Sequence, residues 1–277
     1  MKRKENIRTR IWREEAEPDN PFAAAACYCH GYDVYGDVLG KAGWAEFVYL
    51  LFHGERPDRH RARMLEDLAV AIANPGPRDH SIRAAMNGGV GGSNSAACLM
   101  AALGVGAGQL GGAREVSIAL RNWIDCGTDL GAWTRRIDSP PVEERADVWP
   151  AMEHPPGFDP HGASCPGPVL KVLEHLAAFP SAQVLPWLRD HRAALERIAD
   201  CPLAMTGVAA AAFHELGFGP DQGEMLYLLL RLPGAAVHAL EQKDYGFKRY
   251  PFFHDAVHLA NDPGPFAGTS PGDEEEP

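Results

Sequence analysis

The first residues whose types could bind a metal ion are Cys27-Tyr28-Cys29-His30. Zinc usually takes four nitrogen or sulfur ligands, with cysteine pairs two residues apart. The spacing here is one, and no second pair stands out. Buried thiols beside a histidine are the plainer reading, and a metal module at Cys27, Cys29 and His30 the remote one. His154 and His161 flank Pro155-Pro156-Gly157-Phe158-Asp159-Pro160, with Cys165 beyond, in a proline-rich stretch that reads as loop. Loops are where functional side chains concentrate. Gly88 to Gly92 resembles no phosphate loop, since no Lys-Ser or Lys-Thr follows and no strand precedes. A flexible connector is expected there. Gly111-Gly112-Ala113-Arg114-Glu115 opens a helix whose free N–H groups could meet an anion. Arg231 lies inside the apolar run 228–232, and a buried arginine needs either an acidic partner or an anionic ligand. Both remain open at this point.

The rest of the chain must position these groups. It has 277 residues, 45% hydrophobic and 23% charged, which excludes collagen-like and disordered classes. Lys and Arg number 26 against 37 Asp and Glu, a net charge of -11 that disfavours nucleic acid as a partner. A local arginine cluster could still hold an anionic ligand. No stretch approaches the roughly 18 apolar residues of a membrane span. The basic start, residues 1–4, runs into more polar sequence and not an apolar core, so a secretory signal is not expected. The six cysteines then read as thiols in a reducing cytoplasm.

Glycine and proline punctuate a series of helical periods. Residues 31–40 read as a turn feeding a short helix. Residues 43–53 form a helix with Trp44, Phe47, Val48 and Leu51 on one face. Asp58 is an N-cap for the next helix, whose stripe is Met64, Leu65, Leu68 and Ile72. Asn74-Pro75-Gly76-Pro77 ends it. The Ala/Gly-rich segment 93–110 buries little side chain but lets a second backbone approach, within the chain or across a dimer. Further helices are expected over 113–123, 169–179, 187–199, 206–216 and 222–242, the last kinked at Pro233. The Pro/Gly/Ser-rich end, 262–277, reads as disordered. No strand is expected, because β-branched runs and alternation are absent. The class is all-α.

In order and spacing these segments resemble the citrate synthase superfamily, especially its short citrate synthase/citryl-CoA lyase-like members. The carriers are Gly31-Tyr32-Asp33 through Gly40, then Ala45 to Leu51 with Gly54-Glu55-Arg56-Pro57. Gly111-Gly112-Ala113 and Pro202-Leu203 follow, and Arg231-Leu232-Pro233-Gly234-Ala235-Ala236-Val237-His238 is the last. The resemblance covers roughly residues 6 to 255. It implies large and small helical domains around a cleft: 1–112 with 206–277, and 113–205. It also implies a homodimer, and a CoA thioester with a di- or tricarboxylate as substrate or ligand, with no tightly bound cofactor.

Position by position, the resemblance puts Leu110 where the family has an enolate-binding histidine, and Thr206 where it has the aspartate that removes the α-proton. Arg231, 25 positions after Thr206, matches a carboxylate-binding arginine. Pro75 stands where a substrate-side histidine is usual, with His80 displaced nearby. His154 matches a carbonyl-polarising histidine and His161 an arginine, unless Pro156-Gly157-Phe158 takes the family's Pro-Gly-Phe place and the histidine is missing. Lys248 and Arg249 stand in for an arginine that reaches across the dimer. A hydroxyl is a far weaker base than a carboxylate, and losing a general base costs about 10²–10⁴ in rate. Leucine donates no hydrogen bond to an oxyanion, a loss of about 10²–10³. Ordinary citrate synthesis is therefore not expected. Two readings follow: an enzyme of altered chemistry, carbon–carbon bond cleavage or formation or thioester hydrolysis, using His154, His161 or Cys165; or a non-catalytic homologue that serves as a binding or regulatory partner, for instance of an active paralogue.

Overall fold

The computed structural model describes residues 8–141 and 152–250. The expected disordered end, 262–277, lies outside them. The helices dominate. They are α1 (Trp44–His53), α2 (Arg59–Ile72), α3 (His80–Val90), α4 (Ser95–Gly106), α5 (Ala113–Cys126), α6 (Leu130–Asp138), α7 (Gly167–Ala177), α8 (Val184–Ala199), α9 (Met205–Glu215) and α10 (Pro220–Tyr245). A π-helical turn, Val34–Val38, and a 3₁₀ turn, Phe247–Arg249, complete the helical set.

A small antiparallel sheet corrects the expectation of no strand. It consists of β1 (Trp12–Glu17), β2 (Asn20–Cys29) and β3 (Tyr32–Asp33), in that order. The register runs from Trp12 opposite Cys29 to Glu17 opposite Asn20, with a bulge around Ala16. β2 is rich in alanine, which carries almost no strand preference, so its sequence has no strand signal. Pairing with the charged β1 creates the strand. The Arg13 guanidinium lies 4.0 Å from the Tyr28 ring centre across that ladder.

Local signals set the first helices. The Asp58 carboxylate accepts from the His60 and Arg61 amides, as its N-cap role requires. Met64, Leu65, Leu68 and Ile72 are all buried. In α1 the expected face is wrong by a rotation. Ala45, Val48, Tyr49 and Leu50 are buried while Trp44 is exposed. The helix is apolar nearly all round, so period alone cannot choose its inner side.

Gly88 and Gly89 are helical, not a connector. A Cβ on Gly89 would lie 2.1 Å from the Ala239 carbonyl oxygen, and one on Gly88 would lie 3.1 Å from Cys98 Sγ. These glycines let α3 touch α10 and α4 directly. Gly106 of α4 likewise faces Ser81 of α3 at 3.2 Å from a would-be Cβ, so one face of the small-residue helix closes within the chain. Pro233 lies inside α10 and has no N–H; beside it the Gly234 amide donates to the Ala73 carbonyl at the end of α2, at 2.9 Å. The alanine-rich α9 is the central element, with every residue from Val208 to Phe213 fully enclosed. The core around it is continuous from α1 and α2 through α5, α7, α8 and α10.

His53 ends α1 stacked on Tyr49, ring centres 4.3 Å apart, and against Phe218 at 4.6 Å. Its Nε2 is buried without a hydrogen-bond partner. Burial, then the nearby Arg61, pushes its pKa below the ordinary histidine value; burial does the same to His214. The unfolded chain therefore binds protons that the folded chain refuses, and stability falls as pH drops below about 6.5. The urea midpoint is expected to be lower at pH 5 than at pH 7.5, and His53→Phe to narrow that difference. An unchanged difference would place the acid sensitivity elsewhere.

Candidate functional site

The proline-rich segment folds back against the start of α9. The Asp159 amide donates to the Pro202 carbonyl at 2.8 Å, and the Ala204 amide to the Gly157 carbonyl at 2.9 Å. Phe158 and Leu203 form an isolated antiparallel bridge. Gly157 adopts φ +93°, in the left-handed region that glycine tolerates, and so turns its N–H toward α5.

On α5 the third residue, Glu115, receives that N–H. Its side chain is only 1% exposed. Oε1 accepts from the Gly157 amide at 2.9 Å and from the Thr206 hydroxyl at 2.7 Å; Oε2 accepts from the Gly111 amide at 2.6 Å. The His154 imidazole stands with Nε2 3.8 Å from Oε2, and the His154 side chain is 8% exposed. That nitrogen is buried and has no hydrogen-bond partner.

Gly111 links this carboxylate to a second charge. Its carbonyl accepts from Arg231 Nη1 at 3.1 Å, and from the Tyr227 hydroxyl at 3.4 Å. Arg231 is buried, and its Nη2 pairs with the Asp79 carboxylate. Its guanidinium carbon lies 4.7 Å from the Tyr227 ring centre. Burial pushes the Tyr227 phenol up to about 12, so it stays a neutral donor. Asp79 also caps α3, because its Oδ1 accepts from the Ser81 and Ile82 amides. The void beside Arg231 holds about 10 Å³, room for roughly one water.

The sequence-derived residues therefore part company. Thr206, His154 and Arg231 are gathered around Glu115 and Gly111. Leu110 is 40% exposed. His161 is exposed, its amide donating to Asp159 at 2.9 Å. Cys165 is in a different place, near Glu196 and Arg192, with its thiol pushed up by burial. Lys248 and Arg249 are exposed on the 3₁₀ turn, and His80 is exposed at the start of α3. At the other end of the chain, Cys27 and Cys29 are buried, and His30 Nε2 lies 3.3 Å from the Leu51 carbonyl. Among the described residues no three His, Cys, Asp or Glu side chains are gathered as a metal site. None of the helices there is long and apolar enough to cross a membrane.

Sequence reasoning missed two residues. Asp79 followed by His80-Ser81 carries an N-cap signal, but nothing local pairs it with Arg231, 152 positions away. Glu115 has only its place in a helical first turn, where an acid is usual.

Comparison with solved structures gives the fold a context. Citryl-CoA lyase from Hydrogenobacter thermophilus matches over 93% of this chain and 96% of its own, with a TM-score of 0.69 and 19% identity. The chain has a citryl-CoA lyase-like fold. ATP citrate lyase from Methanothrix soehngenii, solved with citrate and coenzyme A, has a TM-score of 0.71 at 16% identity. A Methanosaeta concilii ATP citrate lyase variant, in complex with (3S)-citryl-CoA, has 0.69 at 15%. Each covers 95% of this chain, which spans only 43% of either ATP citrate lyase chain. No protein-family model matches the chain, and no curated protein matches its sequence. The all-α class of the citryl-CoA lyase-like fold agrees with the sequence reading, the small sheet aside.

Proposed function

We propose that this protein binds the CoA thioester of a tricarboxylate and cleaves its carbon–carbon bond, as citryl-CoA is cleaved to acetyl-CoA and oxaloacetate. The observation that carries the reading is the convergence of His154, Thr206 and Arg231 on one buried locus within a citryl-CoA lyase-like fold. Cleavage begins by taking a hydroxyl proton, and His154 is the imidazole at this locus that can accept it; the thioester enolate it leaves is the one that condensation would start from. Lys248 and Arg249 supply positive charge for the carboxylates and for the CoA phosphates, and Arg231 adds its own where a substrate carboxylate displaces Asp79. The CoA thioester is substrate, and no tightly bound cofactor takes part. The two domains, 113–205 against the rest, form the walls of the cleft. The working state is a cytoplasmic homodimer. Met100 and Val105 on α4, with Met225, Leu229, Val237 and Leu240 on the neighbouring α10, expose apolar surface suited to that contact.

The test is to mix the purified chain with (3S)-citryl-CoA and follow acetyl-CoA and oxaloacetate. Cleavage is expected, with saturable CoA binding by calorimetry, and little free citrate from acetyl-CoA and oxaloacetate, because that route also requires hydrolysis of the thioester. Equal rates of synthesis would overturn the reading. A second reading is a non-catalytic homologue that partners an active paralogue. It is favoured by Asp79, which already neutralises Arg231, and by the one-water void beside it. Neither binding nor cleavage would establish that alternative.

A further inference from the structure

We propose that Glu115 is the positioning carboxylate of this site: it fixes His154 for proton transfer and supplies from α5 the negative charge that position 206 on α9 lacks. The inference rests on the CoA-thioester reading above.

A carboxylate as enclosed as Glu115 persists only where its lone pairs are filled. The Gly111 amide, the Gly157 amide and the Thr206 hydroxyl fill them, and they belong to three separate segments. Those contacts hold the group against rotation and leave Oε2 turned toward His154. The His154 Nε2 is a buried polar atom with no partner, 3.8 Å from that oxygen. Buried polar groups are normally satisfied, and one left over 3.8 Å from an anchored carboxylate points to that carboxylate as its partner. The other charged groups nearby are already paired. Arg231 holds Asp79, and Tyr227 keeps its proton. An imidazole is the side chain that exchanges protons near neutral pH.

A movement of about 1 Å brings Nε2–H into hydrogen-bond range of Oε2. The tautomer is then set with Nδ1 as the basic nitrogen, and the carboxylate stabilises the imidazolium that forms. In cleavage of a citryl thioester, His154 takes the proton of the tertiary hydroxyl. The bond between the carbinol carbon and the thioester CH₂ breaks. The carbinol carbon becomes the ketone of oxaloacetate, and the bonding pair passes into the thioester enolate. The imidazolium returns its proton to the CH₂ carbon of that enolate, giving acetyl-CoA, so atoms and charge balance. Thr206 is in this account a holder of the carboxylate and not its failed substitute.

The experiment is a double-mutant cycle read on citryl-CoA cleavage. E115Q keeps the shape and removes the charge; kcat is expected to fall about 10²-fold with KM little changed, and the acid limb of the pH–rate profile to move to lower pH. H154Q falls comparably, and the double variant falls no further, because the two act as a unit. T206V keeps the volume and removes one donor; it lowers kcat about tenfold alone and adds nothing to E115Q. Should E115Q fail to fold, T206V against H154Q runs the same cycle. Wild-type-like kcat in the Glu115 or Thr206 variant, or losses that multiply with H154Q, would overturn the inference and leave the cleavage reading standing. A wild-type chain that does not cleave citryl-CoA overturns both.

Discussion

Replacing Arg231 with alanine is expected to destabilise the fold by about 3–5 kcal/mol, which is about 5–9 °C in melting temperature for a chain of this size. The guanidinium is enclosed and ties three things together: the Asp79 carboxylate, the Gly111 carbonyl and the Tyr227 ring. Truncation leaves Asp79 mostly buried and without its cation, and that uncompensated charge is the main cost. Asp79 keeps its bonds to the α3 amides, which places the loss toward the lower end of the range. The effect should also separate into charge and shape. R231M retains the apolar stem and loses the charge, so it remains strongly destabilised. R231M combined with D79N recovers a substantial part, since removing both charges leaves no buried charge unpaired. Urea denaturation of the single and double variants at pH 7 measures this. Additive losses would mean that the two side chains do not depend on one another. The same variants bear on ligand binding: loss of CoA or citrate binding identifies Arg231 as a ligand group only if the folded fraction is unchanged.

Gly207→Ala is the second large effect. A Cβ there would lie 2.4 Å from the Gly157 carbonyl oxygen and 2.8 Å from Leu203 Cδ1. The first is backbone and cannot swing aside. The segment carrying Gly157 must retreat from α9, with loss of the Ala204–Gly157 hydrogen bond and of the Gly157 amide from Glu115. Overpacking of this kind costs about 1–3 kcal/mol, and more where backbone must move. Activity should fall further than stability, because the displaced loop also carries His154. Gly104 provides the control, since a Cβ there meets nothing within 4 Å. Gly104→Ala in the same chain should be neutral or stabilising by up to about 1 kcal/mol through helix propensity. If both variants melt together, the close approach of Gly157 and Gly207 is not the constraint described.

Much of the helical framework is written in short stretches of sequence. The Asp58 cap, the Met64–Ile72 stripe, the stop at Asn74-Pro75-Gly76 and the Gly-Gly break before α5 each depend on residues a few positions apart. Capping, period and chain breaking act over that range. The order of those signals was enough for the resemblance that the solved structures bear out at the level of fold.

What the tertiary structure decided lies between residues far apart in the chain. Gly88 and Gly89 look like a connector until α10 is laid against them, because a missing Cβ has no local meaning. β2 has no strand preference of its own and becomes a strand only through β1. Arg231 could be assigned neither a partner nor a ligand from its own helix, and its carboxylate comes from the cap of α3. Glu115 stands in the sequence as an ordinary first-turn acid. Only the packing of α9 and the proline-rich loop against α5 encloses it with Thr206, 91 positions away, and with His154. Enclosure changes what a carboxylate is worth, since charge is screened in water and acts strongly where water is excluded. That property belongs to the assembled interior and to no window of sequence.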